Sequence, residues 1–241
     1  MSATISWLGH STIRLVLADN RVVLIDPFLA DNPSCPDNLK KPTRCDMVLL
    51  THGHFDHVSG VSDLVDLFNP TIVGNFELCA AMEKTLGKGK YSPMNTGGTQ
   101  TVDGVRVSLT PALHSSSIDT PQGPMYAGMP NGIVVEVDGL ASLYHAGDTD
   151  VFCEMEFIRK RYAPKICILC VGGYFTMDAQ AAAMAADMLQ PVSIIPIHYK
   201  TFPVLAQSVD EFKNSLPEHL ASGMVAPEPG QELDWTATGL A

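Results

Sequence analysis

The run Thr51-His52-Gly53-His54-Phe55-Asp56-His57 places three histidines and a carboxylate within six residues, directly after the apolar stretch 47–50. Neutral imidazole nitrogens and a carboxylate oxygen are the ligand set of zinc and its first-row neighbours. Burying four such groups as ordinary core residues would leave several polar atoms without partners, which is costly. In a tight loop after a strand, His52 and His54 point to one side and Asp56 and His57 to the other. That arrangement suits two metals lying side by side and bridged by a water. A single structural zinc is the plainer alternative. Structural sites recruit cysteine, however, and none of the six cysteines falls in this loop.

Residues of the same types recur later in the chain. His114 follows the run 105–113, Asp148 follows 143–144, and His198 follows 194–197. With His52, all stand just past apolar stretches that read as strands. Sites in α/β proteins gather at such ends, where loops converge without disturbing the core. His10 and His145 also fall at strand ends, and each could serve as a substrate-side acid or as a structural hydrogen-bond donor. His219, in Pro217-Glu218-His219, reads as exposed. Asp26, before Pro27, is either a turn residue or the carboxylate that holds a ligand imidazole in one tautomer.

The elements that must position these groups follow from periodicity. Short branched runs at 5–8, 12–18 and 22–25 read as strands, with Asp19-Asn20 as a hairpin turn. Val61, Leu64, Val65 and Phe68 keep helical spacing up to Asn69-Pro70, and 76–86 reads as a helix closed by Gly87. Asp103-Gly104 and Asp138-Gly139 mark two further hairpins. Later stretches alternate, with helices at 151–162, 178–190 and 208–216 and strands at 165–171 and 192–197. Met177, Met184 and Met188 read as core packing around the second of these helices. Two stretches, 31–45 and 115–131, carry three prolines each and read as loops that close over the cleft. No linker or charge run divides the chain, so 1–241 is read as one α/β domain.

Composition narrows the function classes. With 46% hydrophobic and 17% charged residues the chain is globular rather than disordered. Its longest apolar runs are too short to span a bilayer, and Met1-Ser2-Ala3-Thr4 lacks a secretory signal pattern, so a cytoplasmic protein without a membrane partner is expected. A net charge of −11 and the lack of a basic cluster beyond Arg159-Lys160-Arg161 argue against a nucleic-acid partner. The cysteines, Cys167 and Cys170 included, read as reduced core residues, because positions three apart on a strand face opposite sides. A homo-oligomer is left open.

His52, His54, Asp56 and His57 match the His-x-His-x-Asp-His signature of the metallo-β-lactamase superfamily, which the chain resembles along essentially its whole length. The resemblance implies a four-layer αββα sandwich with the metals at one edge of two sheets. It implies that His52, His54 and His114 hold one ion, that Asp56, His57 and His198 hold a second, and that Asp148 bridges both. Gly9-His10-Ser11, Ile25-Asp26-Pro27-Phe28, Gly172-Gly173-Tyr174-Phe175-Thr176-Met177 and His198-Tyr199 resemble a bacterial branch of metal-dependent hydrolases similar to the ascorbate-6-phosphate lactonases. A secreted β-lactamase would be expected to show a leader pattern, which Met1-Ser2-Ala3-Thr4 does not, so a lactam substrate is not expected. The acidic stretch 230–241 sets the chain apart from the glyoxalase-type thioesterases.

The expected cofactors are two divalent ions, zinc first, with manganese, nickel or iron as alternatives. The expected reaction is hydrolysis of a small ester, lactone or phosphoester by a metal-bridging hydroxide. In it Asp56 orients the nucleophile, and Asp56 or His198 passes a proton to the leaving group. Ser115, Ser116, Ser117, Tyr174, Thr176 and Lys200 are the polar groups expected to hold the substrate. The competing readings are a nuclease or phosphodiesterase of the same fold and a non-hydrolytic metal-binding or di-iron redox module.

Overall fold

The computed structural model describes residues 2–241. Three antiparallel strands come first, Ala3–Trp7 (β1), Ile13–Val16 (β2) and Val22–Ile25 (β3). Met47–Leu49 (β4) then adds in parallel to β3 and leads into the histidine loop, which runs into the one-turn helix Phe55–Val58 (α1). Val61–Phe68 (α2), Thr71–Asn75 (β5), Phe76–Leu86 (α3) and Lys90–Met94 (β6) follow, β5 and β6 extending the sheet in parallel.

Thr99–Val102 (β7) and Val105–Pro111 (β8) open a second sheet. Between β8 and Asn131–Glu136 (β11) stands a separate hairpin, Ser117–Thr120 (β9) and Gly123–Tyr126 (β10). Leu143–His145 (β12), Ile166–Cys170 (β13) and Ser193–Ile197 (β14) complete that sheet as three parallel strands. Helices Met155–Tyr162 (α4), Ala179–Leu189 (α5), Asp210–Ser215 (α6) and Glu218–Ala221 (α7) accompany them. The last strand, Glu232–Trp235 (β15), returns to pair with β1. The sheet orders are β15-β1-β2-β3-β4-β5-β6 and β14-β13-β12-β11-β8-β7.

Alternation along the strands sorts the core into layers, since successive side chains leave a strand on opposite faces. Val23, Ile25, Met47, Leu49 and Val73 join the large cluster shared with the second sheet and with α4, α5 and α6. Their neighbours Val22, Leu24, Val48, Leu50 and Ile72 face the other way, onto Val61, Leu64 and Val65 of α2 and Leu78 and Met82 of α3. The result is helices, sheet, sheet, helices: the αββα sandwich of the metallo-β-lactamase type.

Helix ends follow their local chemistry. Asn75 caps α3 by accepting from Leu78 N, and Asp178 caps α5 by accepting from Ala181 N. Asn69, Gly87 and Gln190 end α2, α3 and α5 in the left-handed conformation.

Several expectations need correction. The stretch 115–131 is not a loop but carries the β9–β10 hairpin, with Pro121 in its turn and Pro124 on a two-stranded edge where its missing N–H does no harm. The stretch 31–45 is a loop, but it buries Cys35 and Cys45 beneath the first sheet and lends no residue to the cavity over the cluster. Residues 151–154 precede α4 rather than belonging to it. Met184 lies on the solvent face of α5, 54% exposed, and Cys153 is exposed while the other five cysteines are buried; all six are free. Among the described residues, no helix is long and apolar enough to cross a membrane.

Candidate metal centre

Parallel pairing brings the carboxyl ends of β3 and β4 to one edge of the first sheet, and those of β12, β13 and β14 to one edge of the second. Asp26, His52, Asp148 and His198 leave the sheets at these ends. Two imidazole-rich groups result: His52, His54 and His114, and His57, His198, Asp56 and His10. Within each, the candidate ligand atoms lie within 4.8 Å of one another.

Asp26 organises the inner part of the cluster. Its Oδ1 accepts from Thr51 N at 2.8 Å, and its Oδ2 accepts from Thr51 Oγ1 at 2.6 Å and from His57 Nδ1 at 2.8 Å. Because the Thr51 hydroxyl spends its proton on Asp26, its oxygen is the acceptor for His52 Nδ1 at 3.0 Å. One carboxylate therefore sets two tautomers, His57 directly and His52 through Thr51. Both rings, when neutral, turn the lone pair of Nε2 toward the cluster. Asp26 holds a left-handed backbone, φ 48°, as do His10 at 53° and His198 at 61°. Left-handed non-glycine residues are strained, and they gather where surroundings over-determine them.

The other ligands are positioned by clips between loops. Leu113 N donates to Thr149 Oγ1 at 2.9 Å and Asp150 N to Leu113 O at 3.1 Å, which ties the His114 loop to the Asp148 loop. Gly53 N donates to Ser116 Oγ at 3.2 Å, tying the histidine loop to the base of the hairpin. His198 N donates to His10 O at 2.9 Å. A Cβ at Gly172 would lie 2.8 Å from His198 Nδ1, so only glycine admits that ring.

Asp148 stands between the two groups. Its Oδ2 is 3.1 Å from His198 Nε2, 3.4 Å from His57 Nε2 and 3.8 Å from His114 Nε2. His52 Nε2 and His54 Nδ1 are 3.0 Å apart. His10 Nε2 approaches Asp56 Oδ2 at 2.9 Å.

These distances explain the proton affinities. Burial lowers His52 well below the ordinary imidazole value, and lowers His54 and His114 too. Burial also takes His10 down to about 4, so its Nε2–H is the donor to Asp56. The same burial acts on His57 but is outweighed by Asp148 and Asp26, which hold it well above that value. For Asp148, His198 and His57 overcome desolvation and keep the carboxyl well below its usual range. Asp56, likewise desolvated, is drawn down to about 2 by the bond from His10 and the charge of His57.

The donor set fits divalent metal. His57 Nε2 and Asp148 Oδ1 are buried with no hydrogen-bond partner, in a structure where such atoms are ordinarily satisfied. Five imidazoles and two carboxylates match the nitrogen and oxygen preference of zinc, manganese, nickel and iron.

Of the remaining sequence candidates, His145 does not line the cavity. Its Nδ1 accepts from Gly147 N and its Nε2 donates to Ser11 O, both at 3.0 Å, so the ring is fully engaged by backbone. His10 is equally buried behind Asp56. His219 is exposed on α7, beside Gln190 Oε1.

A cavity of about 610 Å³ opens over the cluster, lined by His54, Asp56, His114, Asp148 and His198 and by Ser115, Ser117, Asp119 and three phenylalanines, Phe55, Phe175 and Phe202. Ser116, Tyr174, Thr176 and Lys200 do not line it. Ser116 is occupied as a clip, and Tyr174 points to solvent. Sequence reading missed the phenylalanines and Asp119. The available signal was that Phe55 and Phe202 fall within or beside ligand-bearing loops, and that Phe175 lies in the stretch 172–177 that carries part of the family resemblance.

Residues 21–199 match the β-lactamase superfamily domain. A metal-dependent hydrolase of family UPF0173 from Rubrobacter xylanophilus is 41% identical over 231 residues, 95% of either chain. One from Koribacter versatilis is 40% identical over 209 residues, 87% of this chain and 89% of that one. Igni18, a metallo hydrolase from Ignicoccus hospitalis, superposes with a TM-score of 0.82 at 32% identity, covering 96% of this chain and 97% of its own. The chain belongs to the β-lactamase superfamily, and within it to the UPF0173 metal-dependent hydrolases.

Proposed function

We propose that the cluster holds two divalent ions and hydrolyses a small ester, lactone or phosphoester. Asp148 carries this reading: one carboxylate lies within 4 Å of an imidazole from the first group and of two from the second. His52, His54 and His114 would hold one ion, Asp56, His57 and His198 the other, and Asp148 both. Zinc suits these donors first, with manganese, nickel or iron compatible. Bound there, the ions would acidify water toward neutrality and polarise the oxygen of the scissile group.

The chain's own groups have distinct tasks. Asp56 faces the cavity with one oxygen tied to His10, which leaves the other to hold the ion and from there to orient a water. His10, buried behind it, positions Asp56 rather than touching substrate. His198 also faces the cavity, with Nε2 at the cluster and Nδ1 against Gly172, so its task is to hold the ion. His145 braces the β12 loop against the β1–β2 turn. Five buried free cysteines suit a reducing compartment, so a cytoplasmic site of action belongs to the proposal.

The test is elemental analysis after reconstitution, read beside Asp56→Asn. About two metals per chain are expected, with one retained less tightly in the variant. A stoichiometry held at one in metal excess, with Asp56→Asn binding equally well, would end the two-metal reading.

A further inference from the structure

The rim of the cavity contains more apolar surface than the ligands require. Phe55 and Phe175 are 53% and 57% exposed, and Phe202 is half-buried beside them. They come from three segments: the start of α1, the loop after β13 and the loop after β14. No single element's packing therefore accounts for all three. Phe55 and Phe202 both lean on the buried ring of Phe28, with centroids 5.9 and 6.5 Å away, and Phe202 also meets His10 at 5.5 Å. Two of the three rim rings thus share one buried apolar backing. Exposed rings gathered around a polar centre mark a ligand site rather than ordinary surface.

Charge at the rim points the same way. No lysine or arginine lines the cavity. The rim's own ionised group, Asp119, is exposed and forms no salt bridge among the described residues. Of the groups expected to hold the substrate, Lys200, the one cation, does not line the cavity. A carboxylate or phosphate on the arm of a substrate that points away from the ligands would meet Asp119, the three rings and the hydroxyls of Ser115 and Ser117, with no lysine or arginine to receive it.

We infer that Phe55, Phe175 and Phe202 form a subsite for an apolar, uncharged arm of the substrate, and that Asp119 turns away substrates carrying a negative charge on that arm. This rests on the hydrolase reading above and narrows it: aryl- or alkyl-substituted esters and lactones fit, and phosphorylated sugar lactones do not.

Three γ-lactones with the same scissile bond test this on the zinc-loaded full chain: the parent γ-butyrolactone, its γ-phenyl derivative and its γ-carboxylate. We expect kcat/KM about tenfold above the parent for phenyl and about tenfold below it for carboxylate, the range a single apolar group commands in a pocket. The joint Phe55→Ala, Phe175→Ala variant should bring the phenyl-to-parent ratio close to one, and Asp119→Asn should narrow the parent-to-carboxylate gap. Equal rates for the three lactones, or ratios the variants leave unmoved, would overturn the subsite while leaving the hydrolase reading intact. Should none be hydrolysed, the hydrolase reading suffers for lactones, and binding decides the subsite. Saturation-transfer NMR on the same protein should then give a signal for 3-phenylpropanol and none for 4-hydroxybutanoate, and the double phenylalanine variant should abolish the phenylpropanol signal. A signal for both compounds, or for neither, would overturn it.

Discussion

The floor and the rim of the cluster are built differently. On the floor, His52, His57, Asp148 and His198 are buried, and two of these rings are fixed by one carboxylate, Asp26. At the rim, His54 and His114 are only partly covered, and His54 Nε2 meets the Ser115 hydroxyl at 3.3 Å. Buried and braced ligands are preorganised, so they set how tightly metal is held. Rim ligands keep freedom to adjust as substrate arrives.

The largest effect should come from the floor residue shared by both groups. Asp148→Ala is expected to remove at least one metal and to lower kcat/KM by about 10³-fold or more, the range for groups on which transition-state charge depends. Elemental analysis and turnover on the same sample check it; full occupancy with near-normal turnover would erase the distinction between floor and rim.

A rim ligand should cost less than Asp148 yet far more than a surface histidine. His114→Ala is expected to lower activity by about 10²-fold, whereas His219→Ala on α7 should be neutral, both with the native circular dichroism spectrum. Matched activities at matched metal content would show that His114 is no ligand.

Asp26→Asn sharpens the comparison from behind. Its amide cannot accept from Thr51 and His57 at the same oxygen without presenting its own protons to one of them. Metal affinity should fall about 10- to 100-fold, the usual effect of losing such a partner, while His54 and His114 stay in place. Competition with a fluorescent chelator reads it, and unchanged affinity would mean that the rings are held by packing alone.

The last test uses the metal-free protein and reads stability rather than activity. His10, His52, His54, His114 and His145 bind protons more weakly folded than unfolded. As pH falls below about 6.5 the unfolded chain takes up protons that the folded one refuses, so stability falls by about 1.4 kcal/mol per pH unit for each proton of difference. His57 has the opposite sign. Its raised affinity adds stability that is complete below 6.5 and is lost as pH rises through its folded value. The metal-free Tm should therefore peak near neutrality and drop steeply on the acid side, and a flat profile between pH 7 and 5 would contradict it.

What the sequence made legible was local. The helix at 76–86 and its end at Gly87 needed only a cap, a period and a glycine, and the turns at Asp19-Asn20 and Asp103-Gly104 needed only their own residues. The ligand residues stood out because so many polar groups beside apolar strands are costly to bury unless something binds them. The hairpin at 117–126 was hidden by its prolines, and β15 by its shortness, since its partner lies at the other end of the chain. The phenylalanine rim was hidden for a deeper reason. A ring facing a cavity and a ring facing the core have the same local pattern, and only the convergence of three loops separates them.

The pairing of β15 with β1 bears on how the protein matures during synthesis. Gly230 N donates to Trp7 O, Trp7 Nε1 donates to His10 O, and His198 N shares that same oxygen. The segment that carries His10 is thus anchored by residues translated long after it. While the ribosome still holds those residues, the first sheet has an open edge and the partner of Asp56 has no fixed place. Contacts this distant in sequence close slowly. A nascent chain would thus have its helices and central strands before it had a working centre, and competence for metal would arrive as one of the last events of folding.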